Sequence, residues 1–184
     1  MERRTFLSLA TKAVAIPVLG QGVAMGTEAG QVQMVPAGED FEGVKRLMGF
    51  SRLTIKVGAE QTLGGLFVIE QHFVKKGGPP RHMHPSQDEW FYVMEGEFVF
   101  EIGEPGKAKR TTMSAGDSVL APRGLPHVFS FISENPGRTL VAFTPAEKIE
   151  AFFRKVSVEG APVPLTKELL EQYGMVFVGP PLSI

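Results

Sequence analysis

The sequence predicts an all-β domain: a small antiparallel β-barrel or double-stranded β-helix of the jelly-roll kind, followed by a short helical extension. Three observations predict it. Short runs rich in β-branched and aromatic residues recur at close spacing from about Glu39 to Thr144, turn residues separate them, and almost no helical periodicity falls between them. A chain of 184 residues with 43% hydrophobic and 21% charged residues suits one globular domain with a full core. The reading divides it into an N-terminal segment 1–26, the β-barrel 39–145 and a C-terminal helical extension 146–184.

The N-terminal segment opens Glu2-Arg3-Arg4-Thr5-Phe6-Leu7, and the stretch from Ala13 to Thr27 carries no charge. This resembles a twin-arginine export signal. It implies a periplasmic or exported protein if residues 1–26 act as a signal, and a cytoplasmic one with a disordered arm if they do not. The uncharged stretch contains Gly20, Gln21 and Gly22 and is too short and too polar for a membrane span.

Strand signals come next. Leu53, Ile55 and Val57 alternate with Arg52, Thr54 and Lys56, the period-2 pattern of a half-buried strand. Further runs cover Leu66 to Val74, Glu89 to Val93, Phe98 to Ile102, Ser118 to Leu120, Val128 to Ile132 and Arg138 to Phe143. Gly77-Gly78-Pro79-Pro80, Glu95-Gly96, Glu104-Pro105-Gly106, Ala115-Gly116-Asp117 and Asn135-Pro136-Gly137 supply the turns between them.

The tail reads as helix. Thr144-Pro145-Ala146-Glu147 offers a capping hydroxyl, a first-position proline and a glutamate three residues after the cap. Ile149, Phe152, Phe153 and Val156 then form one apolar stripe, expected to pack on the outside of the barrel or on a second subunit. A second helix is expected after Thr166, burying Leu169, Leu170 and Tyr173 and stopping at Gly174.

Composition excludes several functions. Net charge is −1 and no basic stripe is present, so nucleic acid is rejected as a partner. Without cysteine there is no disulfide, no thiolate nucleophile and no iron–sulfur cluster, and any metal must be held by nitrogen and oxygen.

The chemistry is carried by His82, His84, Glu89 and His127. In an extended strand His82 and His84 share a face and can chelate one ion, and Glu89 needs only a short turn to reach it. Of the four histidines only His72 falls outside this pattern. Mixed imidazole and carboxylate donors suit one divalent transition metal: iron, manganese, nickel, cobalt, copper or zinc. Phe91 and Val93 share parity with Glu89, and Phe129 and Phe131 share parity with His127, so these four are expected to line an apolar pocket around the metal. Trp90 and Tyr92 then face outward. Arg81, Gln87 and His72 are candidate supporting or substrate contacts, with surface exposure the expected fate of each.

These residues also carry a family resemblance. Gly77-Gly-Pro-Pro-Arg-His82-Met-His84 through Glu89 to Gly96 is similar to the first motif of the cupins, and Gly116-Asp-Ser-Val-Leu-Ala-Pro122-Arg-Gly124-Leu-Pro-His127 to the second. Lys76 stands where the first motif has a glycine, and Phe131 where the second often closes on asparagine. The resemblance implies a single-domain cupin holding a divalent metal through His82, His84, Glu89 and His127. With its Gln61-Thr62-Leu63-Gly64-Gly65 lead-in and helical tail, the chain most resembles proteins compared with quercetin dioxygenase. That implies an oxygenase acting on a small aromatic or enol substrate, with Glu89 as catalytic base as well as ligand. Another metal-dependent cupin enzyme (isomerase, decarboxylase or hydrolase) and a non-catalytic small-molecule binder remain alternatives. A homodimer is expected, to cover the exposed helix stripe.

Overall fold

Side-chain alternation decides which residues make the core. A computed structural model of the chain describes residues 32–157 and 163–184, so the export-signal reading of residues 1–26 lies outside the described residues. Among those described, β1 (Arg46–Met48) and β2 (Ser51–Val57) form a hairpin in which Leu53 and Ile55 turn inward. A single 3-10 turn, Glu60–Thr62, leads to β3 (Phe67–Phe73). There follow β4 (Arg81–Met83), β5 (Asp88–Glu95), β6 (Phe98–Ile102), β7 (Lys109–Met113), β8 (Ser118–Ala121), β9 (His127–Phe131) and β10 (Gly137–Thr144). The tail adds α1 (Ile149–Val156), α2 (Lys167–Gln172) and β11 (Val176–Gly179).

The strands form two antiparallel sheets, ordered β1-β2-β3-β10-β5-β8 and β11-β4-β9-β6-β7. The sheets do not join into one closed ladder, so the double-sheet form of the predicted jelly roll is the one adopted. Phenylalanine rings fill the space between them. Phe73 meets Phe98 edge-on at 4.9 Å and Phe91 meets Phe100 at 5.1 Å, arrangements favoured by the ring quadrupole.

Close backbone approach is built in at Gly78, where a Cβ would lie 2.0 Å from the Phe129 carbonyl oxygen. Only glycine lets the loop entering β4 lie against β9. Gly78 thus meets the packing requirement of this loop.

The tail differs from the expected all-helical extension. Thr144 does not cap α1: it still pairs with Asp88 in the sheet, and its hydroxyl donates to the Gly65 carbonyl at 2.9 Å. The helix therefore begins at Ile149, after Lys148. Its predicted stripe of Ile149, Phe152, Phe153 and Val156 is buried, but inside the domain rather than outside the barrel or on a second subunit. Phe153 lies 6.0 Å from Phe67 and 5.6 Å from Phe143. The helix stripe is thus spent on the core. In α2 the Thr166 hydroxyl accepts from the Leu169 N–H, and the chain turns at Gly174 with φ 83°. Residues 176–179 are a strand, paired with β4.

Candidate metal centre

The two sheets bring the candidate ligands together from opposite sides. His82 lies on β4 and is the register partner of His127 on β9, in one sheet. His84 follows β4 directly, and Glu89 projects from β5 in the other sheet, opposite Phe143 and Ala121. One donor atom from each of the four lies within 4.8 Å of the others, and all four residues are buried.

Hydrogen bonds orient all three rings alike. His82 Nδ1 donates to the Pro80 carbonyl at 2.8 Å and His127 Nδ1 to the Leu125 carbonyl at 3.0 Å. Carbonyls only accept, so the proton is assigned to Nδ1 in both rings. His84 Nδ1 lies 3.0 Å from Gln87 Oε1. The Gln87 orientation follows from its other end, which donates to the Pro145 and Ala146 carbonyls at 3.0 and 2.6 Å. In its neutral form each ring therefore offers its Nε2 lone pair to a common point, the usual arrangement of metal-ligating histidine.

A cation fits that point. Glu89 Oε2 lies 2.8 Å from His127 Nε2, 3.3 Å from His84 Nε2 and 4.0 Å from His82 Nε2. A lone pair facing a carboxylate oxygen at such distances is repulsive unless a proton or metal ion stands between them. His84 Nε2 is buried and makes no hydrogen bond among the described residues. Burial, reinforced by the His127 and His84 rings, pushes the His82 pKa down to about 3, so that ring stays neutral at ordinary pH. Burial by itself would raise the Glu89 carboxyl, but the close approach of the His127 and His84 rings outweighs it and holds the group below the usual carboxylate range. A neutral imidazole and an ionised carboxylate are the forms that ligate. Three nitrogens and one oxygen suit the first-row transition metals better than calcium or magnesium, which prefer all-oxygen sites.

Beside the four donors lies a cavity of ≈ 40 Å³, walled largely by apolar side chains that include Ile69, Phe129, Phe143, Ile149, Phe153 and Met175. Of the predicted pocket residues, Phe129 lines it. Phe91, Val93 and Phe131 point inward but belong to the aromatic core away from the cavity. Parity fixes the face of a strand, whereas each residue also advances about 3.3 Å along it, which carries them past the site. Trp90 and Tyr92 stack at 6.0 Å on the outer face. The wall also draws on α1 and on Met175, which strand parity could not reveal.

Gln87 is the clearest correction among the supporting residues, since it is buried against His84 rather than exposed. Arg81 and His72 are partly buried and engaged elsewhere, Arg81 in an ion pair with Glu101 and His72 in a polar contact with Glu70 at 2.9 Å. Sequence reading also passed over Gln71, a buried residue of the cavity wall. Its signal was available, as the one polar member of the inward set Phe67, Ile69, Gln71 and Phe73.

Comparison with known proteins agrees with this geometry. Oxalate oxidase GF-3.8 of Triticum aestivum is 31% identical over 121 residues, covering 61% of this chain and 54% of that protein. A probable germin-like protein, subfamily 2 member 5, of Arabidopsis thaliana is 31% identical over 80 residues, covering 43% of this chain and 38% of that one. The chain thus spans about half or less of the length of these curated relatives. Peruvianin-I, described as a cysteine peptidase from Thevetia peruviana latex, shares the fold alone, with a TM-score of 0.50 at 16% identity over 87% of this chain and 84% of that one. Residues 69–143 match the Cupin domain family, a stretch that runs from β3 into β10 and holds all four candidate ligands; the chain contains a cupin domain.

Proposed function

We propose that this protein is a metal-dependent cupin oxidoreductase, an oxygenase acting on a small enol or aromatic substrate at a divalent transition metal held by His82, His84, Glu89 and His127. The observation that carries this reading is the convergence of three ring nitrogens, each fixed by a hydrogen bond at its far side, on one buried carboxylate. When bound, such a metal supplies Lewis-acid and one-electron chemistry to an oxygen of the substrate. The chain's own residues do the rest. The apolar wall excludes water from the reacting centre, and Glu89 is placed to accept a substrate proton as well as to ligate.

The relatives named as oxalate oxidases support an oxidoreductase, and the cavity of ≈ 40 Å³ favours the smallest members of the enol and aromatic range over a flavonol. We extend the reading to export, on the Arg3-Arg4 motif, and to a homodimer, for which Tyr92, Met94 and Leu120 offer exposed apolar surface on the outer face.

The test is elemental analysis of protein purified without added metal, followed by oxygen-electrode assays on short enols, hydroxy acids, dicarboxylates and phenols. Oxygen uptake that needs both substrate and metal is expected. Turnover without oxygen would transfer the site to isomerase, decarboxylase or hydrolase chemistry. Saturable binding with no product would make it a binding module.

A further inference from the structure

The cavity beside the four candidate ligands adjoins a second, larger space. Met48, the last residue of β1, and Phe50, in the two-residue turn to β2, line both the cavity of ≈ 40 Å³ and an apolar groove of ≈ 570 Å³. Gly49, between them, takes φ 38°, which lets this turn close tightly. The C-terminal tail supplies further wall through Leu165, Phe177 and Pro181. No side chain lining the groove is charged or carries a hydrogen-bonding nitrogen or oxygen, and four of the lining residues are prolines, which have no backbone N–H. Three of the proline carbonyls are already engaged: Pro80 accepts from His82 Nδ1 at 2.8 Å, Pro164 from the Thr166 N–H at 3.0 Å and Pro180 from the Arg81 N–H at 3.3 Å. Such a surface offers a ligand mainly hydrocarbon contact.

The groove also stays close to the candidate ligands. Pro80 holds the His82 ring, and Phe177 on β11 is the register partner of His82. A cavity of ≈ 40 Å³ has room for roughly three water-sized groups, enough for a small polar head. The groove has the volume of an ordinary small-molecule site. We propose that the groove is the second half of the substrate site and that the substrate is an amphiphile. Its small oxygen-bearing head faces the metal site, and its uncharged hydrocarbon tail runs past Met48 and Phe50 into the groove. The inference rests on the metal-site reading above and narrows its substrate class.

The probes are acetohydroxamate and its hexano and octano homologues, which share one chelating head and differ only in tail length. They are titrated into cobalt(II)-loaded protein and followed by visible absorption, with cobalt content measured before and after. Affinity is expected to rise about fourfold for each methylene that enters the groove. Leu165→Asp alters the groove and not the cavity. It is expected to keep full cobalt content, to weaken octanohydroxamate about tenfold and to leave acetohydroxamate within about twofold. Pro181→Asp, at an exposed position of the same wall, is expected to act in the same direction and serves if Leu165→Asp does not fold. Equal affinities along the series, equal loss of both probes in a variant, or a tail-length effect that both variants leave intact would each overturn the proposal. So would a wild-type dimer that Pro181→Asp dissociates, which would give the groove to a second copy of the chain. Failure of wild type to load cobalt, or of every hydroxamate to bind the loaded protein, would overturn the metal-site reading and this one with it.

Discussion

Gln87 joins His84 to the segment that leads into α1: its carbonyl oxygen accepts from His84 Nδ1 at 3.0 Å while its amide nitrogen donates to the Pro145 and Ala146 carbonyls. One side chain thereby fixes both a metal-facing ring and the approach of the helix that roofs the cavity. Gln87→Ala is expected to weaken metal binding by about 10- to 100-fold, the usual cost of losing such a partner. Competition with a chromophoric chelator measures it, and an affinity equal to wild type would remove Gln87 from the centre.

His84→Ala and His127→Ala each remove one of four donors and are expected to drop bound metal to a small fraction of wild type. Trp90→Phe, on the outer face, is expected to leave metal content unchanged. Plasma mass spectrometry of the three variants separates these outcomes. Similar metal in all of them would place the binding elsewhere.

Phe153 packs between Phe67 and Phe143 while lining the cavity, so Phe153→Ala removes core and roof together. A cost of about 3–5 kcal/mol is expected for truncating a buried phenylalanine. Urea unfolding reads it as a lower midpoint with the slope retained. The same variant is expected to admit a larger phenol to the metal-loaded site, seen as a spectral change absent from wild type.

Asp40 gives the fold a defined acid sensitivity. Burial alone would raise its pKa, but the Ile55 and Glu42 N–H groups and the Arg46 guanidinium hold it below the ordinary 3.8. A depressed folded-state pKa means the stabilisation is full above the unfolded value and is lost as pH falls through the folded one. Asp40→Asn is therefore expected to destabilise the metal-free protein by about 2 kcal/mol near neutrality, as loss of buried charge-assisted hydrogen bonds predicts. The gap from wild type should shrink only below about pH 4. Denaturant titrations at pH 7, 5 and 3 check the sign, and a gap that widens toward pH 3 would contradict it.

Much of the fold could be read from alternation. Leu53 and Ile55 on β2, and Phe91 and Val93 on β5, announce their strands because one face of each is buried. The metal-facing residues were legible for a different reason, since only a few side-chain types ligate and their spacing is set by the strand repeat. β7 was missed because Lys109-Arg110-Thr111-Thr112 is exposed along its length and presents no apolar face, only Met113 being buried. β11 was missed because its pairing depends on β4, far away in sequence. Gln87 escaped for a similar reason, as its carbonyl partners lie 58 and 59 residues downstream and no local pattern announces them. The Thr144 cap failed because the sheet holds its backbone and the Gly65 carbonyl its hydroxyl.

The pairing of Val176 with Met83 and of Phe177 with His82 means that the last strand shelters the ligand-bearing one from solvent. Proteolytic trimming before Val176, or a fusion partner forced close behind Gly179, would expose the edge of β4 and loosen the chelate from outside. Preparations differing only in how their carboxyl ends are engineered should then differ in how much metal they retain, with the four candidate ligands untouched.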